Sequence, residues 1–83
     1  MIYTVFVENT DSTRSFCKIA TRDFEIAIGE FTNMVEYFTD YCRHGTNFRT
    51  RTWSNDSSRT YIDCRIIECN EHKHIIHFDK FEE

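Results

Sequence analysis

The chain has 83 residues, which bounds it to one domain, residues 1–83, near the smallest size that folds without covalent or metal staples. Its net charge of −4 argues against nucleic-acid binding by bulk electrostatics. Its apolar runs are only a few residues long, too short for a membrane-spanning helix.

Eight Phe, four Tyr and one Trp can fill a core but exceed what a single helix can cover. Some of these rings are therefore expected at a binding surface, where aromatic residues are enriched. Four cysteines without a secretory signal read as reduced thiols in a cytoplasmic protein.

Residues Ile2 to Val7 are β-branched and aromatic on both faces, as in an inner strand of a sheet. Asn9 to Thr13 is a run of turn formers, and Ser15 to Ala20 resumes an extended pattern, which completes a hairpin. Thr21 to Gly45 then carries Phe24, Ala27, Ile28, Phe31, Met34, Val35, Phe38, Tyr41 and Cys42 at spacings of three and four. That period belongs to an amphipathic helix.

Thr21 or Asp23 is expected to cap the start of this helix. Arg43, His44 and a left-handed Gly45 are expected to close it. Gly29 lies inside it and costs about 1 kcal/mol relative to Ala.

Asn47 to Trp53 alternates as a strand, and Ser54 to Ser58 reads as a turn. Arg59 to Glu68 is a second clear strand, with Thr60, Ile62, Cys64 and Ile66 expected to face inward. Asn70 to Lys73 turns the chain into a last strand, His74 to Phe81, and the acidic pair Glu82 and Glu83 is expected to fray.

The order ββαβββ implies an α+β fold of two layers, an antiparallel sheet of about five strands under one long helix. With no proline to block a sheet edge, homodimerisation through an edge is open.

Charge is unevenly distributed. Between residues 22 and 41 five acids oppose one base, and between 43 and 59 four arginines oppose one acid. The acidic helix face, Glu25, Glu36 and Asp40, is one candidate partner-binding surface, with carboxylates standing where a partner's groove holds phosphates. The second is Arg49, Arg51 and Trp53, which alternate on one strand face and are of the residue types favoured as interface anchors.

The same arginines with Trp53 and Tyr61 would suit a nucleic-acid-binding module that clamps phosphates and stacks bases. Cys64, Cys69, His72 and His74, spaced C-x4-C-x2-H-x-H, would suit a small zinc-binding domain, although the spacing matches no standard zinc motif. Catalytic signatures and cofactor loops are absent from the sequence, and the expectation is a protein that is not an enzyme.

The function expected is that of a small acidic binding protein that occupies a surface of a larger protein partner. Size and acidity associate it with phage-encoded inhibitors of a host enzyme or defence system. A nucleic-acid-handling enzyme is the partner class that the charge suggests.

Overall fold

A computed structural model describes residues 1–10, 14–53 and 60–83. Five strands and one helix follow the expected order: β1 (Ile2–Asn9), β2 (Phe16–Thr21), α1 (Phe24–Cys42), β3 (Arg49–Thr52), β4 (Tyr61–Glu68) and β5 (Lys73–Phe81). All neighbouring strands are antiparallel, in the order β2-β1-β5-β4-β3. Residues 11–13 of the predicted turn Asn9 to Thr13, the predicted turn Ser54 to Ser58 and Arg59, the first residue of the predicted strand, lie outside the described residues.

The helix connects the two edges of the sheet. Its 19 residues span about 28 Å. The four strand spacings between β2 and β3 amount to about 19 Å. A single helix can therefore leave one edge, cross a whole face diagonally and deliver the chain to the other edge.

The α1 stripe of Ala27, Phe31, Phe38 and Cys42 is buried against Val5 and Val7 of β1, Ile67 of β4 and Ile76 and Phe78 of β5. Phe78 is at the centre of this core, with ring contacts to Tyr3, Phe24 and Phe31 at 5.4–6.5 Å.

Local signals set the helix start. The Asp23 carboxylate accepts hydrogen bonds from the amides of Glu25 (2.9 Å) and Ile26 (3.2 Å), and Thr21 Oγ1 accepts one from the Asp23 amide. The helix ends at Cys42 with Arg43 as its cap, inside the predicted limit.

Gly45 is not left-handed; among the described residues the one with positive φ is Asn47, at 56°. What Gly45 provides is space, since a Cβ there would lie 2.6 Å from Cys69 Sγ and 2.7 Å from Cys69 Cβ.

Three further expectations are corrected. Cys64 and Ile66 point away from the helix, opposite His77 and Ile75, and it is Ile67 opposite His74 that faces it. Ile62 still packs against the helix-side core, because an irregularity between Tyr61 and Asp63 inserts one residue and reverses the alternation. Glu83, expected to fray, is paired: its carboxylate takes two hydrogen bonds from the Arg22 guanidinium, at 2.6 and 2.7 Å, which holds its pKa below the usual range.

Candidate functional site: the helix-free sheet face and the flanks of the helix

Residues opposite one another in a ladder share a face, so the registers of β3, β4, β5, β1 and β2 define two rows on the side without the helix. One row runs Arg51, Ile66, Ile75, Glu8. The next runs Cys64, His77, Phe6, Cys17, and Trp53 extends it just past the end of β3, where its amide donates to the Cys64 carbonyl at 3.1 Å. Phe81 lies on the same side, opposite Ile2.

Trp53, Phe81 and Phe6 are 49%, 45% and 38% exposed. A two-layer fold with one helix leaves this face without a covering layer among the described residues.

Arg49 and Arg51 on the outer strand and Trp53 just past its end thus come together on one face, as their alternation predicted. Their charges are not free. Arg49 Nε donates to Glu68 Oε1 at 2.7 Å, and Arg51 Nε lies 3.5 Å from the same oxygen. Glu8, Glu68 and Asp79 lie on the same face, so its field is mixed in sign. Tyr61 donates from its hydroxyl to the Trp53 carbonyl at 2.9 Å, holding the end of β3 against β4.

The acidic residues Glu25, Glu36 and Asp40 are all exposed, on the opposite side of the molecule. Glu25 and Glu36 are three turns apart and so share a flank. Glu36, Asp40, Val35 and Thr39 line one recess there, and Val35 and Thr39 also border β3 and β4. Asp40 pairs with Arg43 at 3.5 Å.

The other exposed flank, toward β2, is apolar and aromatic. Tyr37 (59% exposed) and Tyr41 (53%) stand there, and the sequence pattern had placed Tyr41 in the buried stripe. Ile28, also assigned to that stripe, is exposed.

The register of β4 on β5 creates a constellation that sequence spacing did not indicate. Cys64 Sγ lies 3.8 Å from His77 Nδ1, and His77 Nε2 lies 3.3 Å from Glu8 Oε2. These residue types in a chain could constitute a nucleophile, its base and an orienting carboxylate. Two features oppose that chemistry. The cysteine is 2% exposed, and burial, followed by the negative charges of Asp79, Asp63 and Glu8, pushes its thiol up to about 11. A nucleophilic cysteine needs the reverse shift.

Asp79, also on this face, has its pKa raised by burial and partly lowered again by His77.

The zinc set is not assembled. Cys64 faces away from the helix, whereas His74 faces it and is buried beneath Phe38, 4.3 Å between ring centroids. Asn9 Nδ2 donates to the Arg14 carbonyl, which turns Asn9 Oδ1 toward His74 Nδ1, so that this nitrogen carries the proton. Among the described residues no three His, Cys, Asp or Glu side chains converge as metal ligands. No described helix is long and apolar enough to cross a membrane.

No protein-family model, curated protein or solved structure matches this chain.

Proposed function

We propose that this protein is a non-enzymatic binding protein that occupies a surface of a larger protein partner, using the helix-free sheet face. The supporting observation is the juxtaposition on that face of exposed Trp53, Phe6 and Phe81 with Arg51 and Arg49 at its margin. Trp and Arg with a polar surround are the composition of interface hot spots. The protonated, inaccessible Cys64 supports the non-enzymatic part of the reading.

The acidic flank bearing Glu25, Glu36 and Asp40 is the second surface open to a partner. An inhibitor of a host enzyme or defence system, of the kind phages encode, is the finer form of the proposal. It rests on small size, acidity and the lack of a catalytic signature.

The test is a pull-down with tagged protein from a cell lysate, with and without nuclease, followed by affinity measurement on the captured partner. Trp53→Ala is expected to weaken binding at least about 30-fold, the effect of losing roughly 2 kcal/mol. Glu36→Lys with Asp40→Lys is expected to change it little. The reverse pattern moves the site to the helix, and loss of all partners after nuclease rejects the proposal.

A nucleic-acid-binding reading retains one favourable observation, the shared face of Arg49, Arg51 and Trp53. Glu68 between the two arginines weighs against it. That reading requires affinity for single strands that falls steeply with salt.

A further inference from the structure

The apolar flank of α1 and the edge strand β2 enclose a recess of about 340 Å³. Its walls are Phe16 on the strand and Met34, Tyr37, Phe38 and Tyr41 on the helix, and the Asn9–His74 pair closes its floor.

Two features of its strand wall are independent of the recess. First, among the described residues β2 pairs only with β1, so outside the bulge every other backbone amide and carbonyl of β2 points outward along an edge. Second, the register slips between Val5 and Phe6, and the bulge falls on Lys18. An edge lysine ordinarily repels an added strand, and a bulge confines strand addition to the regular backbone beside it, here residues 16–17 and 19–21. Here the Lys18 ammonium lies 3.7 Å from Glu30 on the helix. Glu30 balances the charge of Lys18, the one Lys, Arg, Asp or Glu among the described residues lining the recess, and directs it toward α1. The recess therefore favours an uncharged occupant.

We propose that the β2–α1 groove is a docking site, separate from the helix-free face, for an extended peptide segment of a partner. The segment adds as a strand to β2 and seats one large uncharged apolar side chain among Phe16, Met34, Tyr37, Phe38 and Tyr41. Main-chain hydrogen bonds supply affinity in this mode of recognition, and the side-chain pocket supplies selectivity. At about 340 Å³ the recess is at the low end of ligand-sized cavities, suited to one bulky side chain.

The test uses ¹⁵N-labelled full-length protein and four capped, uncharged pentapeptides, with threonines flanking a central Leu, Met, Phe or Trp. At least one should give saturable amide shifts confined to β2 and the Tyr37–Tyr41 turn, with a Kd below about 1 mM. N-methylation of alternate peptide amides should weaken binding at least 10-fold, as should a central Ala in the peptide.

Tyr37→Ala, an exposed change that leaves the core intact, should do the same while the rest of the amide spectrum is retained. Absence of saturable shifts with all four peptides overturns the proposal. So does binding that tolerates N-methylation. Shifts on Phe6, His77 and Trp53 would transfer the peptide to the helix-free face, and concentration-dependent shifts on β2 without peptide would assign the edge to a second copy of the chain.

Discussion

The two glycines make opposite predictions for the same substitution. Gly29 lies in the second turn of α1, and a Cβ built there meets nothing within 4 Å. Gly29→Ala removes only the entropic cost of glycine in a helix and should stabilise by about 0.8–1 kcal/mol. For a domain of this size that raises Tm by about 3–8 °C.

Gly45→Ala places a Cβ 2.7 Å from Cys69 Cβ, an atom fixed to the backbone, as well as 2.6 Å from the rotatable Sγ. Overpacking of this kind costs about 1–3 kcal/mol. The backbone at Gly45 is not left-handed, so conformational strain contributes nothing to the expected loss.

Urea titration followed by far-UV circular dichroism measures both variants. Adding Cys69→Ala to Gly45→Ala removes the sulfur but not the Cβ, so most of the loss should persist, whereas Cys69→Gly should show a favourable coupling with Gly45→Ala. Destabilisation by Gly29→Ala, or full rescue by Cys69→Ala, would refute the steric account.

Other substitutions probe the core, the cap and the buried thiol. Phe78→Ala should cost about 3–5 kcal/mol by denaturation, because the ring is 1% exposed and touches three other rings, whereas Phe6→Ala on the helix-free face should cost much less. Asp23→Ala should cost about 1 kcal/mol through loss of the two capping hydrogen bonds.

Cys64 gives a pH dependence. Its folded value, about 11, lies above its reference value of 9.0, so the folded state keeps a proton that the unfolded state releases. Its contribution is complete below pH 9 and is lost as pH rises through 11. Cys64→Ala should flatten stability over that interval relative to the parent. Alkylation of native protein at pH 8 should label exposed Cys17 and spare Cys64.

Periodicity in the sequence determined the fold class, the order ββαβββ and the helix stripe of Ala27, Phe31 and Phe38, because a period of 3.6 or 2 follows from local backbone geometry alone. Asp23 was legible as a cap for the same reason: its partners are two and three residues away. The common face of Arg49, Arg51 and Trp53 was legible as well, since strand alternation needs no tertiary information.

Tertiary structure decided what depends on register and on which side the helix lies. Both faces of β4 are apolar, so the sequence could not say whether Cys64 or Ile67 meets the helix; the pairing with β5 did. The same pairing set Cys64 beside His77, and the pairing of β3 with β4 tied both arginines to Glu68, 17 and 19 residues away. Tyr41 fitted the apolar spacing but stands outside the core, because the helix crosses the sheet diagonally and its C-terminal turns expose the flank nearest β2. The groove there exists only because an edge strand and a helix flank separated in sequence were brought together, and a pattern along one element cannot contain a space between two.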